Sequence, residues 1–237
     1  MGTSIGIGLS QKLNLQEAAF EAARQARLGT QMPQVDLALI FSTVHYNPNE
    51  FLPIILDNLP ETKVIGCSTA GIITSSLIAT RGLAVLAISS DEAHFAVDAI
   101  HDIGSHDMRK AGNMLARNIV KDHGSHSRQA FIYFADGLLE DHSSVLKGLQ
   151  DVFGTVFPIV GAGSSDDFHF KRTFQICQNR ITANAVTGFL MGGHLTIGIG
   201  SRHGWLPLGK PRFVDKAQGN IIRTIDGKPA ANIYDEN

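Results

Sequence analysis

Two stretches of small residues decide the fold: Ile65-Gly66-Cys67-Ser68-Thr69-Ala70-Gly71, and Val160-Gly161-Ala162-Gly163-Ser164-Ser165-Asp166-Asp167. Each follows an apolar run, Lys63 to Cys67 in one case and Phe157 to Gly161 in the other. Gly66 and Gly161 stand 95 positions apart. Working back from each, the same order of signals appears twice. A helical pattern precedes both runs. Asn49 to Leu59 carries Phe51, Leu52, Ile55 and Leu59 on one face, and Ser143 to Phe153 carries Val145, Leu146, Leu149 and Val152. Before these lie continuous apolar runs, Val35 to Phe41 and Ala130 to Ala135, of the kind buried on both faces of a mainly parallel sheet. Further back come an alanine-faced helix over Ala18 to Ala26 and a helix over Met108 to Lys121. Asn14 with Glu17 reads as the N-cap of the former and Ser105 as that of the latter; Gly29 and Gly124 read as their stops. Thr3 to Leu9 and Phe95 to Ile103 read as the leading strands. Gly82 to Ser89, and Thr173 to Cys177 with Ala185 to Met191, read as the trailing ones. The expectation is an α/β fold of two duplicated βαβαβ-plus-strands halves, forming one or two mixed sheets flanked by helices.

The halves are expected at about 1–92 and 93–203, together one domain. Residues 204–237 read as a linker and the truncated start of a C-terminal domain. In that tail Arg212 to Val214 pairs with Asn220 to Ile225, Asp226 to Pro229 turns, and a helix begins at Ala230. Twenty basic residues against 22 acidic ones give a net charge of −2, no footprint for nucleic acid. Two cysteines 110 positions apart, Cys67 and Cys177, do not make a disulfide framework. No signal-like N-terminus is present, and no apolar run approaches membrane-spanning length, so a cytoplasmic location with no membrane association is expected. The ten histidines show no zinc spacing, and no metal or cofactor is expected.

Small residues after a buried strand let backbone N–H groups approach a ligand, at the strand ends where open α/β sheets form their crevices. That makes Gly66, Cys67, Ser68, Thr69 and Gly71 candidate ligand contacts, with Gly161, Gly163 and Ser164 their counterparts. A tight turn with no ligand accounts for the same residues. Asp136, Asp166 and Asp167 follow apolar runs and could ring a cationic group, or could cap turns, the commoner work of aspartate in loops. Backbone N–H groups from one half with carboxylates from the other would complement an amino acid zwitterion. Gly66-Cys67-Ser68 echoes a nucleophile elbow, but Ala70 stands where the second glycine belongs, and no histidine is singled out as base. No catalytic residue is assigned. An enzyme using Cys67 or the three aspartates is the alternative, and an interaction module without ligand a third reading.

The chain resembles the FIST domain family. The resemblance is carried in order by Leu37 to Ser42, Val64 to Gly71, Ala135-Asp136-Gly137-Leu138, Pro158 to Gly161 through Asp166-Asp167, Gly204-Trp205-Leu206-Pro207 and Ile225 to Ala230. At Gly161 to Asp166 the chain departs from the family's usual doubled Gly and Gly-Asp pair. The resemblance implies a sensory module that binds small ligands, amino acids among them, and passes the signal to a downstream protein or domain. It brings no catalytic residues.

Overall fold

The computed structural model describes residues 2–103, 107–139, 141–219 and 221–235. The chain divides into two compact units, Met1–Ile197 and Gly198–Asn237. In the larger unit the first half runs β1 (Thr3–Ser10), α1 (Leu15–Thr30), β2 (Leu37–Thr43), α2 (Pro48–Asn58) and β3 (Lys63–Thr69). A short hairpin, β4 (Ile72–Ile73) and β5 (Ile78–Ala79), then leads to β6 (Leu83–Ser90). The second half repeats the series: β7 (Ala93–Ile100), α3 (Met108–His123), β8 (Arg128–Ala135), α4 (His142–Phe153) and β9 (Ile159–Gly163). Its hairpin is β10 (Gln175–Cys177) and β11 (Arg180–Thr182), and its last strand β12 (Val186–Gly193).

Strand order repeats as well. The first half orders its strands β1-β6-β2-β3 and the second β7-β12-β8-β9. In both, the first three neighbours are antiparallel in turn and the last pair is parallel. Register agrees residue by residue: Ile40 stands opposite Gly66, and Tyr133, 93 positions on, opposite Gly161. The Thr43 N–H donates to the Gly82 carbonyl at 3.0 Å, and Asp136 repeats this with the Ala185 carbonyl at 2.9 Å. The duplication read from the sequence is present in the backbone.

Two sheets pack face to face between two helical layers. Leu37, Ile65 and Cys67 of the first sheet meet Phe95, Phe134 and Phe189 of the second. Phe41 and Phe134 occupy equivalent places in the two halves and touch edge-to-face across the interface of the sheets, ring centres 5.4 Å apart. Helices α1 and α2 cover the outer face of the first sheet through the alanine stripe and Phe51, Leu52 and Ile55. Helices α3 and α4 cover the second through Leu115, Ile119, Val145 and Leu149. Each such large side chain taken fully from water contributes roughly 1.5–3 kcal/mol.

Symmetry breaks at the hairpins. The second half's β10–β11 leaves its own sheet and pairs antiparallel with β3, making the first sheet six-stranded. The first half's β4–β5 pairs only with itself, and the second sheet stays four-stranded.

Several local expectations are corrected. Gly29 does not stop α1, which continues to Thr30 and ends with Gln31 at φ 54°. Gly29 instead lies against Gly6, where a side chain would separate the helix from β1. Ser105 lies outside the described residues, and Asp107 caps α3, accepting from the Arg109 N–H at 2.9 Å. In the smaller unit β13 (Val214–Gln218) pairs with β14 (Ile221–Ile225). Lys228–Pro229, expected as part of a turn, forms β15 against β14, leaving Asp226-Gly227 as the turn, and α5 spans Asn232–Asp235.

Candidate functional site

A cavity of about 760 Å³ opens where the loop from the carboxyl end of β2 enters α2. In α/β sheets this is where ligands are held, because loops there leave backbone and helix N-termini uncovered. One wall is Val44 to Asn49, with Tyr46 buried at its base. The Tyr46 hydroxyl donates to the Lys12 carbonyl at 2.7 Å, and the Arg81 guanidinium lies 5.3 Å over its ring. Asn47 caps α2, accepting from the Asn49 N–H, and Pro48 opens the helix. The other wall comes from the second half: Asp166, His169, Lys171, Arg172 and Phe174, in the connection from β9 to β10. That connection reaches the cleft because β10 is paired into the first half's sheet.

The β9–β10 loop is held in an unusual conformation. Asp167, Phe168 and Phe170 have φ of 58°, 59° and 52°, a region that costs a phenylalanine energy. Asp166 holds it there. One carboxylate oxygen accepts from the Phe170 N–H at 2.9 Å, the other from Lys171 and Arg172 at 2.7 and 2.9 Å. Burial pushes the Asp166 carboxyl up, but the three backbone donors of Arg172, Lys171 and Phe170 outweigh it, and the net shift is downward.

At the matching strand-to-helix junction of the second half lies a smaller cavity of about 330 Å³, without a wall from the other half among the described residues. Gly161, Gly163 and Ser164 line it with Tyr133, Gly137 and His142. These three sequence candidates therefore share one cleft. Asp136 lies beneath, 2% exposed. Its carboxylate accepts from the Leu138 N–H at 2.9 Å, the Thr173 hydroxyl at 2.7 Å and the Asn184 N–H at 2.8 Å. Both Asp136 and Asp166 are thus committed to the fold as turn anchors. They do not form a ring open to a cation, and Asp167 is exposed.

Gly66, Cys67, Ser68 and Thr69 are not a turn. They lie inside β3, between β2 and β10, where the chain bends only at Ala70. Ser68 is wholly buried: its N–H donates to the Phe174 carbonyl at 2.9 Å, and its hydroxyl accepts from the Phe174 N–H at 3.1 Å. Thr69 donates to the Gly71 carbonyl at 2.8 Å. An apolar run followed by small residues suits a strand flanked by a second strand as well as a turn, and β10 is the flanking strand. Cys67 faces the layer between the sheets, and burial pushes its thiol up to about 12, the opposite of an activated nucleophile.

The cleft residues His45, Asn47, His169, Lys171 and Arg172 were not among the sequence candidates. Lys171-Arg172 two residues past His169 was the available signal, in a connection that the duplication places at a strand end.

A third cavity, about 280 Å³, sits at the seam between the halves, among Asp36, Glu61, Lys63, His94, Asp122, His123 and His126. The His94 and His126 rings stack with centres 3.6 Å apart, a geometry that does not converge on an ion. Among the described residues no group of three or more His, Cys, Asp or Glu is placed to hold a metal. His123 is 3% exposed; its Nε2 lies 3.2 Å from the Ser127 carbonyl, which accepts, while Nδ1 is buried with no partner among the described residues. Burial foremost, then the neighbouring His126, His94 and Arg128, hold its pKa below the ordinary 6.5. The folded pKa lies below the unfolded one, so the unfolded chain takes the proton first. Stability from the neutral His123 is therefore complete above the unfolded value and declines as pH falls from about 6.5 through the folded value. Urea midpoints of the wild type and His123→Phe at pH 7.5 and 5.5 are expected to show a smaller acid loss in the variant. An equal loss in both would remove His123 as the cause.

Among the described residues no helix is long and apolar enough to cross a membrane. On comparison with known proteins, the FIST N domain family model matches residues 36–228. An uncharacterised protein of Methanocaldococcus jannaschii, MJ1623, is 26% identical over 188 residues, 75% of this chain and 35% of that protein. The chain thus spans about a third of the length of this curated relative. The match begins at Asp36, past β1 and α1, whose places are nonetheless repeated by β7 and α3. With the family model covering most of both halves and the strand order repeated between them, this chain belongs to the FIST N domain family.

Proposed function

We propose that this chain is a ligand-sensing domain that binds a small metabolite in the 760 Å³ cleft and reports occupancy to a further domain or a partner protein. The observation that carries this reading is the construction of the cleft. One wall belongs to each half, and the second half's wall is a loop with residues at positive φ, tied by the Asp166 carboxylate to the backbone of Phe170, Lys171 and Arg172. A ligand touching both walls would act on the crossover that joins the halves, and strained loops are common at such switch points. Amino acids, implied by the family resemblance, are the first class to test. An enzymatic role gains no support from Cys67, a buried core thiol.

A thermal-shift screen of the full chain against amino acids and common metabolites tests this. A ligand at 100 times its Kd adds about 2.7 kcal/mol, which raises Tm by about 5–10 °C in a domain of this size. His169→Trp places a large ring in the cleft at an exposed loop position and is expected to abolish the shift without lowering the unliganded Tm. A shift that survives His169→Trp would put the ligand elsewhere.

A further inference from the structure

The ligand class can be narrowed from the charge of this cleft, an inference that rests on the cleft being the binding site. Its lining holds two cations, Lys171 and Arg172, and two imidazoles, His45 and His169, all four exposed. Among the described residues the single carboxylate in the lining is Asp166, and both its oxygens already accept backbone N–H groups. Among the described residues neither Lys171 nor Arg172 forms an ion pair. The amide groups at the start of α2 are also in use, since Asn47 accepts from Asn49 and Pro48 has no N–H. Lys171 and Arg172 are therefore the charged donors that the described lining offers to a guest, beside the imidazoles of His45 and His169.

The duplication offers a comparison. The cavity at the matching strand end and helix start of the second half holds no Lys or Arg among its described lining residues. The cations come with the crossing β9–β10 connection, whose counterpart does not line the second half's cavity. Uncompensated cations in a concave site with low-dielectric walls concentrate anions there.

We infer that the cleft is an anion receptor, selecting a carboxylate- or phosphate-bearing metabolite over a zwitterionic amino acid. Guanidinium and ammonium groups meet either oxyanion. An amino acid brings an ammonium that finds no unengaged carboxylate in the lining, so its desolvation goes uncompensated.

Titration calorimetry of the full chain with four probes tests this: succinate, inorganic phosphate, L-alanine and putrescine. Succinate or phosphate is expected to bind at least tenfold more tightly than alanine, and putrescine not at all. Which of the two anions binds better identifies the chemistry, dicarboxylate or phosphate. Affinity should fall as salt is raised from about 50 to 300 mM, because exposed charges are screened. The double variant Lys171→Gln/Arg172→Gln is expected to lose at least tenfold in anion affinity with Tm unchanged. The inference is overturned if alanine or putrescine binds more tightly than both anions, if neither anion binds below about 10 mM, or if the double variant binds anions as the wild type does. If alanine binds and His169→Trp abolishes it, the cleft remains the sensory site and only its charge selectivity is wrong. If anions bind and neither variant affects them, the cleft itself is not the site.

Discussion

Gly66→Val is expected to lose about 3–5 kcal/mol, a large share of the total of about 5–15 kcal/mol usual for such domains. Gly66 stands in the middle of β3, opposite Ile40 on β2 and Ile176 on β10. A Cβ there would meet the Ile40 carbonyl oxygen well inside van der Waals contact, with the Ile40 side chain behind it. That oxygen belongs to the backbone of a central strand and cannot turn aside as a flexible side chain would. Relief would require β2 and β3 to separate, at the point where β3 also carries β10 and so joins the two halves. Gly200→Val is the control: nothing lies within 4 Å of a Cβ added there, and a change within about 0.5 kcal/mol is expected. Urea unfolding followed by circular dichroism reads both. A Gly66→Val protein as stable as the wild type would show that the strands have slack that the close approach denies.

Asp136→Ala comes second, with an expected loss of about 3–5 kcal/mol. The carboxylate anchors three separate segments: the start of the β8–α4 loop through Leu138, the entry to β10 through Thr173, and the entry to β12 through Asn184. Hydrogen bonds to a charged acceptor contribute about 1.5–3 kcal/mol each, and removing the acceptor strands its donors in a site that water cannot readily fill. Asp136→Asn keeps one acceptor oxygen and the shape, and should cost about half as much. Hydrogen exchange gives a second readout: the Leu138 and Asn184 amides should lose protection first. If either variant instead keeps its stability and loses only ligand affinity, Asp136 is a receptor group after all. The first half manages the equivalent position with Thr43, whose hydroxyl pairs locally with Gly82 at 3.2–3.3 Å. It needs no carboxylate there, because its hairpin does not cross to the other sheet.

The amino acid sequence by itself determined the repeating order of elements. Apolar runs of strand length, helical stripes such as Ala18 to Ala26, and anchors 93–95 positions apart are local signals, set by side-chain period and capping, and they survive any arrangement in space. Gly161, Gly163 and Ser164 could be placed together at a cleft for the same reason, since a strand end is a local feature. Tertiary structure alone decided which strands meet. Nothing in Thr173 to Cys177 announces that this segment pairs with β3 rather than with β9, the strand that precedes it. That one exchange turned Gly66 to Thr69 from an expected turn into a buried strand, and drew Asp136 and Asp166 inward as anchors. It also set Lys171 and Arg172 against His45 and Asn47, more than 120 residues away in sequence. Pairing between distant strands depends on which edges are left open once both halves have formed, and no local pattern of side chains records that.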